Sequence, residues 1–126
     1  LETLGVKMDG AQIRDGSGLS HENRVTARQI VTLLHVMNRH PAREAFRASL
    51  AKAGESGSMA RRYDDPALRG RVIGKTGTIR ETRALAGYAT AADGTPLAFA
   101  FLCNGSCSVS VPVDVVLALV RSTGQP

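Results

Sequence analysis

The sequence has no tryptophan, and its 126 residues include only three phenylalanines and two tyrosines. Aromatic rings are the platforms on which proteins stack bases, so this scarcity argues against a stacking surface. Long apolar runs are missing too. The longest, residues 113–120, is interrupted by Asp114 and is much shorter than the roughly 18 residues of a membrane span. The sequence therefore indicates neither a nucleic-acid stacking platform nor a transmembrane helix.

Cysteine is equally scarce. Cys103 and Cys107 are the only two, and their Cys-x3-Cys spacing is not that of a zinc site. The sequence thus predicts no metal and no cofactor. The two thiols can close a short disulfide loop or stay free, and the sequence slightly favours free thiols.

The overall composition is that of one globular domain. The chain is 43% hydrophobic and 21% charged, and 126 residues are too few for two domains. Sixteen lysines and arginines against eleven acidic residues give a net charge of +5, which suits an acidic partner. One hypothesis is therefore a small basic module that binds nucleic acid or an anionic cell-wall polymer and performs no chemistry. Its scattered arginines and few aromatic residues argue against it.

Helical patterns flank the middle of the chain. Thr26, followed three residues later by Gln29, is a capping box, and the apolar spacing after it predicts a helix that Pro41 ends. A second short helix is predicted to end just before Gly54. Near the C-terminus, Pro112 fits the first turn of an amphipathic helix.

Between these helices the periodicity becomes that of strands. Residues 54–70 are predicted to form a long loop rich in Gly, Ser, Asp and Arg. Asp93-Gly94 is a hairpin signal. Three runs are predicted to be strands: residues 71–80, 84–91 and 96–103. Helices, then an antiparallel meander, then a covering helix predict an α/β chain of the α+β kind.

The segment Gly74-Lys75-Thr76-Gly77-Thr78 is the sharpest motif, and it has two main interpretations. A phosphate-binding loop needs four residues between its first glycine and Gly-Lys-Thr, whereas Gly70 leaves only three before Gly74. Such a loop must also open a helix, and a strand is predicted here. The alternative is the Lys-Thr-Gly strand of penicillin-recognising serine enzymes.

The chemistry of these residues suits a strand that binds a peptide. An extended peptide can pair with an exposed strand edge, and Gly77 lets its backbone approach closely. Lys75 offers a positive charge and Thr76 a hydroxyl, both suited to a terminal carboxylate. A surface lysine beside a turn is the simpler explanation when the three residues are taken alone.

The surrounding motifs favour the peptide-binding strand. The string Asp15-Gly16-Ser17-Gly18-Leu19-Ser20, with Asn23 after it, precedes Lys75, and Ala86-Gly87-Tyr88 follows. Residues 13–121 closely resemble the D-alanyl-D-alanine carboxypeptidase/endopeptidase family S13, of the penicillin-binding protein 4 type. The resemblance implies a serine β-lactamase/transpeptidase-like fold, an antiparallel sheet flanked by helices, truncated at its N-terminal side. Residues 1–126 would be the C-terminal part of a penicillin-binding/DD-peptidase domain.

The resemblance also implies a reaction and its residues. In this family a serine with a nearby lysine attacks the D-Ala-D-Ala carbonyl of a peptidoglycan stem peptide, and water cleaves the resulting acyl-enzyme. Ser20 matches the serine of the second, Ser-x-Asn-like motif, while Asn23 lies one position later than that pattern requires. The catalytic residues implied are Ser20, Asn23 and Lys75. The substrate-binding residues implied are Lys75, Thr76, Gly77 and Thr78.

Further expectations concern partners and compartment. The resemblance implies β-lactams as inhibitors, no nucleic acid as partner, and export to the periplasm or another extracytoplasmic space.

One family feature is absent. The nucleophile's Ser-x-x-Lys motif should precede the Asp15–Ser20 string, and none occurs there. Ser49-Leu50-Ala51-Lys52 has the pattern, but it follows the second motif and lies near the end of a predicted helix, so we reject it. We therefore expect a chain without its nucleophile, inactive alone, partnered by a missing N-terminal part, and with an exposed apolar face or an unpaired strand edge.

Overall fold

A computed structural model describes residues 1–123 as helices around one sheet. The strands, in chain order, are β1 (Ala51–Lys52), β2 (Val72–Ile79), β3 (Thr82–Thr90) and β4 (Pro96–Asn104). The helices are α1 (Ala27–Arg39), α2 (Arg43–Ala48) and α3 (Val111–Arg121). Short 3-10 turns cover Glu2–Leu4 and Gly57–Met59.

The four strands form an antiparallel sheet in the order β1-β2-β3-β4. This arrangement confirms the predicted fold class and the three longer strands. Within residues 1–123 no strand pairs with the outer edge of β4, and β1 covers the outer edge of β2 only at Ile73 and Gly74. The expected unpaired edge is therefore present twice, once on each side of the sheet.

Helices α1 and α3 cover opposite faces of the sheet. The buried Tyr88 hydroxyl on β3 donates to the Leu34 carbonyl of α1 at 2.7 Å. On the other face, Val116 and Val120 of α3 join a buried cluster with Leu85 of β3. The predicted capping box of α1 is confirmed: the side chain and backbone of Thr26 both bond Gln29.

The second helix departs from the prediction. It ends at Ala48, where the Ser49 hydroxyl donates to the Phe46 carbonyl at 2.7 Å, and does not run on toward Gly54. Ala51 and Lys52 instead pair with β2 as strand β1. Pairing with an existing sheet edge has overridden the local helical pattern, which is a common outcome for so short a segment.

The two cysteines also correct an expectation. Cys103 and Cys107 form a disulfide, so the preference for free thiols is wrong. Cys103 is near the end of β4, and a tight turn through Gly105, at φ +90, brings the chain back. The two Cα atoms lie 6.3 Å apart, within the range that a disulfide can bridge.

No helix among residues 1–123 has both the length and the apolar character needed to cross a membrane.

A pair of glycines allows β2 and β3 to approach closely beside Lys75. Gly74 faces Gly87 across the two strands. A Cβ on Gly74 would lie 2.8 Å from the Ala86 carbonyl oxygen. A Cβ on Gly87 would overlap the Ile73 carbonyl oxygen and stand 2.6 Å from the Cα of Gly74. Any side chain at Gly87 would therefore push the two strands apart.

We predict that Gly87→Ala lowers the free energy of unfolding by about 3 kcal/mol or more, because the overlap is with backbone that cannot rotate away. Gly16→Ala is the matched control: nothing lies within 4 Å of its added Cβ. It should change stability by less than about 1 kcal/mol. Urea titrations of both variants measure this, and equal midpoints for the two would contradict the close-packing argument.

Candidate active-site cleft

The outer edge of β2 beyond Gly74 is open, and its peptide groups face outward. The Val72 carbonyl accepts a hydrogen bond from the Ala53 N–H at 3.0 Å, which fixes the direction of Val72 toward β1. Peptide groups of an antiparallel strand alternate between its two edges. Thr76 and Thr78 lie an even number of residues after Val72. Their N–H and C=O groups therefore point to the same edge as those of Val72, which is open here.

The side chains of β2 divide between the two faces of the sheet. Lys75 lies opposite Ala86 and Gly77 opposite Ala84. Ala84 and Ala86 lie on the same face of β3 as Tyr88, which contacts α1, whereas Leu85 lies on the other face. Lys75 and Gly77 therefore lie on the α1 side of the sheet, and Thr76 and Thr78 lie on the side of α3.

Two short hydrogen bonds hold the polar groups at Thr76. The exposed Lys75 ammonium donates to the Thr76 carbonyl at 2.6 Å. The Thr76 hydroxyl donates to the Ser58 hydroxyl, also at 2.6 Å. Lys75 forms no ion pair with any carboxylate of residues 1–123. Its positive charge is thus available to an anionic ligand at the strand edge.

A cavity of about 380 Å³ lies between β2 and the loop that precedes α1. The loop contributes Asp15, Ser20 and Asn23 to its walls, and the strand contributes Gly77 and Thr78. The structure thus brings four of the sequence-predicted site residues together around one space. Lys75 and Thr76, which precede Gly77 on β2, do not line this cavity.

The cavity loop is organised by the Asp15 carboxylate. It accepts hydrogen bonds from the backbone N–H groups of Gly18 and Ser20, both at 3.1 Å, and from the Ser17 hydroxyl at 2.8 Å. The Asn23 amide donates to it at 2.7 Å. The bonds from Asn23 and then Ser17 hold the pKa of Asp15 below its ordinary 3.8, because they favour the charged form.

The amide of Asn23 is engaged at both of its ends. While its NH₂ group donates to Asp15, its oxygen accepts the Arg14 N–H at 2.8 Å. Such an amide holds the two arms of the loop together. The Ser20 hydroxyl accepts the Glu22 N–H at 3.2 Å in a local turn. The catalytic roles of Ser20 and Asn23 stay predictions, and this geometry favours a loop-holding role for Asn23.

Sequence reasoning missed Ser58 altogether. It lies 18 residues before Thr76 and enters the site only because the turn Gly57–Met59 packs beside β2. No local pattern marks that contact.

The fold matches that of solved penicillin-binding protein structures. Two matches are to penicillin-binding protein 4 from Haemophilus influenzae. One crystal structure has a TM-score of 0.86 and 24% identity over 96% of this chain and 30% of that one. The other, complexed with a β-lactam, has a TM-score of 0.79 and 28% identity over 85% and 25%.

Sequence comparison identifies the family of this chain. Residues 1–125 match the D-Ala-D-Ala carboxypeptidase 3 (S13) family, and the chain belongs to it. A D-alanyl-D-alanine carboxypeptidase of Actinomadura sp. (strain R39) is 42% identical over 110 residues, which are 83% of this chain and 20% of that protein. The chain spans only a fifth to three tenths of the length of these two relatives. The resemblance seen in the motifs is thereby confirmed.

The Asp15 loop gives a pH prediction. Since the pKa of folded Asp15 is lowered, its hydrogen bonds stabilise the loop above pH 3.8 and are lost as the pH falls through the folded value. A ¹³C NMR titration of the Asp15 carboxyl should have its midpoint below 3.8. Asn23→Ala should raise that midpoint, because it removes the largest cause of the shift, and Asn38→Ala should not. A wild-type midpoint at or above 3.8 would refute the assignment.

Proposed function

We propose that the protein carrying this chain is a serine-type D-Ala-D-Ala carboxypeptidase/endopeptidase that cleaves peptidoglycan stem peptides through an acyl-enzyme. The observation that carries the proposal is the open edge of β2: in a chain of family S13, Lys75, Thr76, Gly77 and Thr78 lie along an unpaired edge beside a cavity. Residues 1–126 would form the C-terminal part of the DD-peptidase domain.

Strand addition explains how the substrate would bind. The outward N–H and C=O groups of Thr76 and Thr78 can pair with an extended peptide, as an added strand would. Gly77, between them, has no side chain to hold that peptide away. Gly77 and Thr78 also line the cavity, so a peptide on this edge would have its next residues inside the cleft.

The terminal carboxylate of the substrate would meet Lys75. The ammonium is exposed, unpaired with any carboxylate of residues 1–123, and already directed at the open edge through the Thr76 carbonyl. Charge-assisted hydrogen bonds are about twice as strong as neutral ones. β-Lactams carry an equivalent carboxylate, which agrees with a β-lactam complex of the Haemophilus influenzae relative.

The chemical step is an acyl transfer. A serine hydroxyl attacks the carbonyl between the two D-alanines, loses its proton to a base, and forms an ester. The C–N bond breaks, terminal D-alanine leaves as a protonated amine, and water then hydrolyses the ester. The outward N–H of Thr78 would provide one donor for the oxyanion, and the N–H of the nucleophile the other.

The nucleophile is proposed to lie outside these residues. Ser49 and Lys52 do not share a helical turn: Ser49 follows the last residue of α2, and Lys52 is in β1. The Ser49 hydroxyl is also used by the Phe46 carbonyl. This geometry supports our rejection of the Ser49–Lys52 motif.

The loop residues would form the opposite wall of the cleft. Ser20 lines the cavity together with Thr78, so we propose that it faces the bound peptide. Asn23 would act through Asp15, holding the wall in place.

The proposed substrate implies the compartment in which the protein acts. Because peptidoglycan lies outside the cytoplasm, we propose a periplasmic or other extracytoplasmic location. The alternative of a basic module for nucleic acid or wall polymer is not favoured by membership of a peptidase family.

We predict that Lys75→Ala in the natural protein lowers the acylation rate by about ten- to a few hundred-fold, because a charged hydrogen bond is lost. Lys75→Arg should restore only part of the rate, since a planar guanidinium does not occupy the place of an ammonium. Lys52→Ala is the control and should be nearly neutral. Stopped-flow acylation by a penicillin measures all three. Loss of activity in Lys52→Ala, with Lys75→Ala active, would reverse our assignment of the motifs.

A second prediction concerns the 126 residues alone. A fluorescent penicillin should not label them covalently, because Ser49 and Lys52, the Ser-x-x-Lys pair within residues 1–123, do not share a helical turn. Mass spectrometry after incubation checks this directly. An adduct on Ser49 would overturn the rejection of that motif.

A further inference from the structure

Ser58 makes a contact that neither the motif nor the proposed reaction uses. Its hydroxyl oxygen accepts the Thr76 hydroxyl at 2.6 Å, on the side of β2 where the strand has no partner. The Ser58 side chain is exposed at that edge. Ser58 and Lys75 thus both bond Thr76, Ser58 at its hydroxyl and Lys75 at its carbonyl, and the substrate carboxylate is expected at this part of the edge.

The position of Ser58 is fixed by the turn around it and does not depend on Thr76. The neighbouring Met59 side chain is fully buried in the core, and the Met59 carbonyl accepts the N–H groups of Gly54 and Tyr63. The Ser56 hydroxyl accepts the Lys52 N–H at 3.0 Å, which ties the turn to β1. A short turn anchored on both sides holds the Ser58 hydroxyl against β2.

The direction of the hydrogen bond decides which hydroxyl can serve a ligand. In this hydrogen bond Thr76 is the donor, so a carboxylate would take the Thr76 proton only by breaking it. Ser58 accepts through oxygen and keeps its own proton to donate. A hydroxyl that already accepts a hydrogen bond is a stronger donor, because hydrogen bonds in a chain polarise one another.

We propose that Ser58 is a further substrate-binding residue, whose hydroxyl donates to the terminal carboxylate of the bound peptide or β-lactam beside Lys75. Thr76 supports it from behind by donating to its oxygen. The inference rests on the proposed function and adds a residue from outside the Lys-Thr-Gly strand to the carboxylate site.

The test compares acylation by a penicillin with acylation by its methyl ester, in the natural protein. Ser58→Ala should slow acylation by the free acid about ten- to a hundredfold, the loss expected for a charged hydrogen bond. It should slow acylation by the ester less than about threefold. Ser58→Thr should restore the rate with the free acid. Ser49→Ala, which removes a hydroxyl bonded only to the Phe46 carbonyl, is the matched control and should match the wild type with both.

A second comparison, in a protein that already carries Thr76→Val, tests whether Ser58 binds the carboxylate directly or only orients the Thr76 hydroxyl. In Thr76→Val, which keeps the shape and removes the hydroxyl, Ser58→Ala should still slow the free acid several-fold. No further loss there would mean that Ser58 acts only through Thr76, and would overturn the proposal. Should Ser58→Ala fail to fold, Ser58→Cys, a similar side chain with a weak donor, must show the same selective loss.

The outcomes distinguish the two proposals. If the wild type is not acylated at all, the proposed peptidase function fails. If the wild type is acylated and Ser58→Ala matches it with the free acid, only the role of Ser58 fails. Equal slowing with acid and ester would likewise refute a contact with the carboxylate.

Discussion

The cleft depends on the close contact of β2 with β3 at Gly74 and Gly87. These two residues lack side chains where the strands approach most tightly, and the register that they allow places Lys75 opposite Ala86 and Gly77 opposite Ala84. A shift of one residue would turn Lys75 to the other face of the sheet. The position of the polar groups at the open edge therefore depends on a contact made by backbone atoms alone.

The open edge of β2 is a potential site of aggregation, and the charge of Lys75 counters it. Unpaired strand edges invite aggregation, and proteins usually cover them or place charges on them. On β2 the exposed stretch is short and carries Lys75, which discourages a second apolar strand from pairing there. The same charge would favour a peptide that ends in a carboxylate. In the proposed function, one side chain would thus both favour that peptide and discourage other strands.

Much of the fold was predictable because its determinants are local. Strand periodicity located β2, β3 and β4, and the Thr26–Gln29 capping box marked the start of α1. Features set by contacts between distant segments were not predictable. The predicted loop of residues 54–70 buries Met59, Tyr63 and Leu68 in the core and carries Ser58 to Thr76. The motif identified the strand, whereas the donors around it depend on how that loop packs.

The Cys103–Cys107 disulfide has a consequence for how the chain matures. The bond closes a turn at the end of β4, and Asn104 within that turn lines the same cavity as Thr78. Disulfides form in oxidising compartments and are rare where thioredoxin and glutathione keep thiols reduced. A chain synthesised in a reducing cytosol would thus keep both thiols until it met an oxidising compartment, and the turn that carries Asn104 would be cross-linked only there.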